Sequence, residues 1–262
     1  MNKLKVCWIT LCKNEEDIIP FCIDYWKRVA DKVVVFDNFS TDKSIELLSK
    51  HDWIEIRYFE SDGQNDPIQK TIKEQAYLQY KNDYDIIIIT DMDEIFYFDS
   101  IAPFEQMINE NYSCLVTCIY SLCEDAKPEY DENKLLHQLC HKFYLQKMNH
   151  MPYMEKVSKI SIFNTKLADS INMSVGQHYV YTNPREKMNI LHTTDGFCLH
   201  VDKGFGLQFK YKIRQKMNDN LSYTNRMGGM CTEYSDSFEK LKKEYELNQY
   251  YSFDINELMK KG

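Results

Sequence analysis

The sequence predicts an α/β fold: a Rossmann-like, mostly parallel central sheet with helices on both faces, followed by a mixed α+β half. Three observations predict it. Short apolar stretches alternate with helix-period segments through residues 5–91. Polar residues gather at the carboxyl ends of those stretches. After about residue 112 the alternation yields to a series of short strands. Parallel neighbours need crossover connections, and helices supply them on both faces of the sheet.

KVCWIT (Lys5 to Thr10) is the first strand. From about Glu15 to Ala30, Ile18, Cys22, Trp26 and Val29 recur at helical spacing, and Pro20 falls early enough to be tolerated. VVVFDN (Val33 to Asn38) is a β-branched second strand, and Ser40, Thr41 and Asp42 offer a cap for the helix through Leu47 and Leu48. WIEIRYF (Trp53 to Phe59) is the third strand. Asp66 and Pro67 read as N-cap and first residue of a helix to about Asn82. DIIIITD (Asp85 to Asp91) is apolar on both faces and therefore central. Beyond it CLVTCIY, KVSKISIF, QHYVYT and FCLHV read as short strands, residues 206–220 as a charged helix, and SFEKLKKEYELNQYY as a final amphipathic helix. No Pro/Gly/Ser-rich linker interrupts the chain. We expect one catalytic domain over residues 1–262, with a nucleotide-binding half (1–111), an acceptor-side half (112–235) and a C-terminal helix (236–262).

With 44% hydrophobic residues the chain can bury a sizeable core. A net charge of -8 disfavours broad nucleic-acid binding, though a metal can still recruit a small anion. Nine scattered cysteines, an odd number without a CxxC pair, read as reduced apolar fillers rather than disulfides or a zinc site. That reading places the protein in the cytoplasm, extending at most to the inner face of the membrane. No apolar run spans a bilayer, so any membrane contact is peripheral.

Ligands bind such sheets at the carboxyl ends of the strands. There lie Thr10 and Lys13-Asn14-Glu15, then Asp37, Asp62, and Asp91-Met92-Asp93-Glu94. Residues two apart on an extended chain point the same way. Asp91 and Asp93 can therefore hold one hard cation and leave positions for phosphate oxygens, so that the cation neutralises a departing diphosphate. The plainer alternative is a set of solvated loop acids. Lys13 and Lys73 can reach phosphates or a base, or be ordinary surface lysines. Asp62 can touch base or ribose, or simply turn the chain before Gly63. His200 suits Mn²⁺ as one ligand among oxygens, or is a core histidine; His178 and His192 are weaker candidates. Glu155, Asp195 and Glu233 are candidates for a catalytic base acting on an acceptor hydroxyl. Asp195 sits in a TTDG stretch that reads as a turn, and Glu233 in a glycine-paired loop. The rings of Tyr144, Tyr153, Tyr179, Tyr181, Phe197 and Phe205 can lie against sugar faces or pack in the core, and KYKIRQK (Lys210 to Lys216) can rest against anionic lipid or a lipid-linked acceptor, or form a solvated helix face.

LCKNEEDIIPFCIDYWKRVADKVVVFDNFSTDKS resembles the opening of family 2-type glycosyltransferases, and TDMDEIFYF resembles their DxD region in the branch with a DMDE core. LHVDKGFG resembles a later stretch of that branch. The resemblance implies a GT-A fold, a nucleotide-sugar donor of the UDP-linked hexose type, and Mn²⁺ or Mg²⁺. It further implies that Asp37 contacts the nucleoside and Asp91 lies near ribose and metal. Asp93 would be the firmest metal ligand, Met92 would line the nucleotide, and His200 would complete the metal site. The acceptor would be a glycan or lipid-linked glycan of a polysaccharide biosynthesis pathway. Two rivals are a haloacid-dehalogenase-type phosphatase, which places its DxD on the first strand, and a non-catalytic nucleotide-sugar-binding protein.

Overall fold

A computed structural model describes residues 3–145, 159–177, 179–201 and 204–259. The chain divides into two compact units. Met1–Glu60, Asp66–Cys118 and Ser158–Cys198 make the first; Ser61–Asn65, Ile119–Val157 and Leu199–Gly262 make the second.

The expected alternation is present as β1 (Val6–Cys12), α1 (Ile19–Val29), β2 (Lys32–Asp37), α2 (Ser44–Leu48), β3 (Ile54–Tyr58), α3 (Asp66–Tyr80) and β4 (Ile86–Asp91). Then come β5 (Glu94–Phe98), α4 (Ala102–Asn109), β6 (Cys114–Leu122), α5 (Leu136–Leu139), β7 (Phe143–Leu145), β8 (Ile162–Asn164), β9 (Ser170–Met173), β10 (Val180–Asn183) and β11 (Ile190–His200). The chain ends with α6 (Leu207–Asp219), α7 (Tyr223–Met227), α8 (Phe238–Tyr250) and α9 (Ile255–Met259). None of the helices among the described residues is long and apolar enough to cross a membrane.

In the first unit the strand order is β3-β2-β1-β4-β8-β6-β11-β5. β1 runs parallel to both β2 and β4, and β2 parallel to β3; β8 is antiparallel to β4 and β6. The period-two alternation of β1 splits its side chains between two helical layers. Cys7 and Ile9 join a core with Ala76, Tyr77 and Tyr80 of α3. Trp8 points the other way, its ring 6.0 Å from Tyr25 and 6.2 Å from Trp26 of α1. The indole N–H of Trp8 donates to Thr90 Oγ1 at 2.9 Å, so the buried ring carries no unmet donor.

Local chemistry departs from expectation at several places. Asp66 is the first residue of α3 itself, not the N-cap before it. Lys43, not Ser40, Thr41 or Asp42, is the N-cap of α2, and it makes no side-chain cap bond. Asp42 serves the same end from one residue earlier, its Oδ1 accepting the Ser44 N–H at 2.9 Å. TTDG is not a turn: Asp195 and Gly196 lie within β11. A Cβ on Gly196 would collide with the Phe98 ring and the Tyr97 carbonyl, so this glycine serves close strand approach rather than chain reversal.

In the second unit β7 pairs antiparallel with Tyr120–Leu122 of β6. Lys210 of α6, 3% exposed, donates to the carbonyls of Leu122 at 3.2 Å and Val201 at 3.1 Å. It therefore ties two strand ends to the helix and is not part of a solvated basic face. Tyr211 of α6 meets Phe238 of α8 edge-on at 5.1 Å. Gly206, at φ 80, opens α6 where a Cβ would strike the Asp125 carbonyl.

Candidate functional site

The register of the parallel strands decides which residues meet. Asp37 is paired with Cys12, and Asp91 with Leu11, on opposite sides of β1. Two inter-strand spacings put the tips of β2 and β4 about 10 Å apart. Between and beside them run the loops that follow β1 and β2.

Those loops are laced together by side chains. Asp37 is fully buried; its carboxylate accepts the Ser40 N–H at 2.8 Å and the Ser40 hydroxyl at 2.5 Å. The Ser40 hydroxyl in turn accepts the Asn14 N–H at 2.8 Å, and Asn14 Oδ1 accepts the Thr41 N–H at 2.7 Å. Asn14 takes the left-handed conformation at φ 58, which asparagine tolerates better than most residues. The Glu15 N–H donates to Ser44 Oγ at 2.8 Å, while its carbonyl receives the Ile18 and Ile19 N–H groups that open α1. Lys13 Nζ donates to the carbonyl of Phe39 at 2.8 Å and also to that of Asn38. Phe39, at φ 51 and 54% exposed, stacks on exposed Tyr58 at 5.5 Å. Thr10 lies inside the sheet, fully buried.

The β4 tip is a charged cluster. Asp91 ends β4, Met92 and Asp93 turn the chain, and Glu94 starts β5. The simple extended spacing expected for Asp91 and Asp93 is thus replaced by a turn. Met92 is buried, and its carbonyl accepts the Cys22 thiol at 3.5 Å. Asp93 is 3% exposed, whereas the Asp91 side chain keeps 35% of its surface. Lys73, far from being a surface residue, is 5% exposed, and its Nζ lies 2.8 Å from Asp91 Oδ1. Lys159, which the sequence reading did not single out, forms an ion pair with Glu94. The other Glu94 oxygen, Oε2, is buried without a hydrogen-bond partner.

Desolvation pushes the Asp91 carboxyl up, but Lys73 and Lys159 outweigh it against the opposing charge of Asp93, and the carboxyl stays below the usual carboxylate range. For Lys159, desolvation favours the neutral amine; Glu94 and Asp91 overcome it and hold the ammonium charged. Among the described residues, the Asp91 carboxylate thus lies under the influence of a second carboxylate, Asp93, and of two ammonium groups, Lys73 and Lys159.

The remaining candidates have these places. Asp62 belongs to the second unit, its Oδ1 accepting from Asn65 at 2.7 Å. His200 ends β11 in the second unit, partly buried. Asp195 and His192 are exposed on β11, and Glu233 is exposed in a 3₁₀ turn, Thr232–Ser235. Glu155, His178 and Tyr153 lie outside the described residues. Of the aromatic candidates, Phe197 and Phe205 are core residues, while Tyr179 and Tyr181 are exposed.

Among the described residues, no group of three or more His, Cys, Asp and Glu side chains is arranged to hold a metal. The donor set at the β4 tip nonetheless fits a hard divalent ion of the kind bound by one or two carboxylates together with substrate phosphates. It offers carboxylate oxygen ligands, among them a buried Glu94 oxygen with no hydrogen-bond partner.

A family model described as Glycosyl transferase family 2 matches residues 7–171, more than half of the chain. The chain belongs to glycosyl transferase family 2. Its mixed α/β sheet is of the GT-A type, and the match spans the β1, β2 and β4 tips that form the candidate site. No curated protein matches the chain. Among solved structures, one similar chain is glucosyl-3-phosphoglycerate synthase from Mycobacterium tuberculosis, in complex with Mn²⁺, UDP and glucosyl-3-phosphoglycerate. It is 16% identical, with 45% of this chain and 44% of that chain covered, at a TM-score of 0.28. Another is 4-diphosphocytidyl-2C-methyl-D-erythritol synthase from Anaerococcus prevotii, 13% identical, with 73% and 88% covered, at a TM-score of 0.33. This chain thus spans less than half the length of the mycobacterial enzyme, and neither likeness carries an argument about this protein's site.

Proposed function

We propose that this family 2 member transfers a sugar from a nucleoside-diphosphate donor, UDP-linked in our reading, to a hydroxyl of a glycan or lipid-linked glycan. The observation that carries the reading is the carboxylate cluster at the β4 tip, level with Asp37 across β1. In this reading the nucleoside lies along the β1 and β2 loops, where Lys13, Asn14, Glu15 and Asp37 shape its wall, with Asp62 a further candidate contact. Asp91 and Asp93 hold Mn²⁺ or Mg²⁺, with His200 as a further candidate ligand. When bound, that ion supplies Lewis-acid neutralisation of the leaving diphosphate.

The chain's own residues do the rest. The hydrogen bonds that link Asp37, Ser40 and Asn14 fix the loops after β1 and β2 against one another. Asp195, Glu155 and Glu233 are our candidates for the base that takes the acceptor proton. Tyr179 and Tyr181 offer exposed rings to a sugar face. We assign residues 1–111 to donor binding, 112–235 to the acceptor side and 236–262 to a C-terminal helical segment, which holds α8 and α9 rather than one helix, in a cytoplasmic enzyme with at most peripheral membrane contact.

The experiment is a panel of nucleotide-sugars with Mn²⁺, reading release of nucleoside diphosphate with and without glycan acceptors. Release from one donor, dependent on metal and lost in Asp93→Ala, is the expected result. Hydrolysis of simple phosphate esters in place of any nucleotide-sugar would overturn the proposal.

A further inference from the structure

Lys73 carries an arrangement that donor binding alone does not require. Its ammonium is not merely near Asp91. It is held there from both sides, 2.8 Å from Asp91 Oδ1 and 3.2 Å from Gln177 Oε1, with 6% of the side chain exposed. Gln177 is itself fixed. It is 1% exposed, it sits in the left-handed region at φ 58, and its amide nitrogen donates to Ile89 O at 3.0 Å, Ile160 O at 3.3 Å and Ser161 Oγ at 3.0 Å. Two of those three acceptors are carbonyls, so the amide cannot be turned over. Its oxygen must face Lys73. A lysine on a flexible four-carbon stem ordinarily keeps its head in water. Here a residue 104 positions away fixes the head against a carboxylate.

We propose that Lys73 is a placeholder cation: it occupies the Asp91 carboxylate until a nucleoside diphosphate arrives, and so makes divalent-metal binding dependent on nucleotide. This rests on the function proposed above and adds an order of binding to it. The reasoning is electrostatic. A divalent ion approaching Asp91 alone meets an ammonium already on that carboxylate, and a second positive charge, Lys159, acting on it. Among the described residues, the β4 tip offers the ion few oxygen ligands, and one of them, Asp91, is already paired with an ammonium. A diphosphate reverses the sign. It brings several negative charges and further oxygens, and the same ammonium changes from a competitor of the metal to a partner of the phosphates. By linkage, whatever the nucleotide adds to metal affinity, the metal adds to nucleotide affinity.

The test measures Mn²⁺ binding by the electron paramagnetic resonance signal of free Mn²⁺, with no turnover involved. It uses the wild type, Lys73→Met, Lys73→Gln and Lys73→Arg, each with and without UDP. UDP binding is followed separately by calorimetry. The wild type should bind Mn²⁺ weakly alone and more tightly with UDP, beyond the chelation by UDP in solution. Removing the charge in either the Met or the Gln variant should tighten binding of Mn²⁺ alone by roughly tenfold. It should also shrink the gain that UDP produces. The Arg variant, which keeps the charge, should stay near the wild type. Unchanged affinity for Mn²⁺ alone in folded Met or Gln variants overturns the proposal. So does tight Mn²⁺ binding by the wild type without nucleotide, a result that needs no variant. If wild-type protein binds neither UDP nor any other nucleotide with metal present, the functional reading itself fails. Intact coupling that ignores residue 73 rejects the placeholder alone.

Discussion

Replacing Lys159 with Met leaves Glu94 as a buried carboxylate with no counter-ion. The Glu94 side chain is 3% exposed and that of Lys159 12%, so water can replace little of what is lost. Glu94 Oε2 has no hydrogen-bond partner even in the intact protein, so the Lys159 ammonium is the chief compensation for its charge. Removing one partner of a buried pair costs about 3–5 kcal/mol. That corresponds to a loss of roughly two hundred- to several thousandfold in the folding equilibrium. The companion Lys159→Met/Glu94→Leu should recover much of the loss, because it removes the stranded charge along with the pair. All three tryptophans, Trp8, Trp26 and Trp53, lie in the unit that holds the pair. Urea unfolding followed by tryptophan fluorescence therefore reports on the unit concerned. A single-variant loss under about 1 kcal/mol, the size of a surface pair, would refute the reasoning. So would a double variant as unstable as the single one.

Other outcomes follow from the same physics. Asp93→Ala should remove the Mn²⁺-dependent part of any rise in thermal stability caused by UDP, since only ligands bound by the native state raise it. A persisting metal-dependent shift would move the ion elsewhere. Burial pushes the thiol of Cys7 up to about 12 and those of Cys114 and Cys123 up to about 11. Seven of the nine thiols are buried, so native protein at pH 8 should show at most two fast thiols to a disulfide reagent, Cys118 and Cys231. Desolvation pushes the Asp85 carboxyl up, but the Lys5 N–H at 3.0 Å and the Lys166 ammonium at 2.9 Å outweigh it and hold it below the ordinary 3.8. A depressed carboxyl stabilises the fold at neutral pH, and the contribution is lost as pH falls below that ordinary value. The stability gap between wild type and Asp85→Asn should therefore close in acid; a gap that widens there contradicts the assignment.

The parallel half of the fold was legible because its strands are contiguous β-branched runs. Val33–Val35 and Ile86–Ile89 can only be buried on both faces, and the polar residues at their ends mark where the chain turns. The sheet's far side was not legible in the same way. EIFYF follows the acidic turn directly and read as part of the motif, yet it is strand β5. Gly196 and Asp195 carry turn chemistry, but the glycine meets a steric demand from Phe98 that sequence cannot display. The site divides along the same line. Asp37, Asp91 and Asp93 announce themselves as acids at strand tips. Lys159 and Gln177 have no local signal, because their significance comes from contacts with Glu94 and Lys73 made 65 and 104 residues away. Lys73 was visible as a candidate, but its burial was not: its helix α3 has a polar composition, and only the packed structure shows its head enclosed.

The most direct measurement of the central claim is anomalous diffraction at the manganese edge from crystals grown with UDP and Mn²⁺. The account predicts one strong peak at the β4 tip, within bonding distance of an Asp91 or Asp93 oxygen and of the diphosphate. UDP seated across the β1 and β2 loops with no ion at that tip, or a manganese ion bound away from both carboxylates, contradicts it.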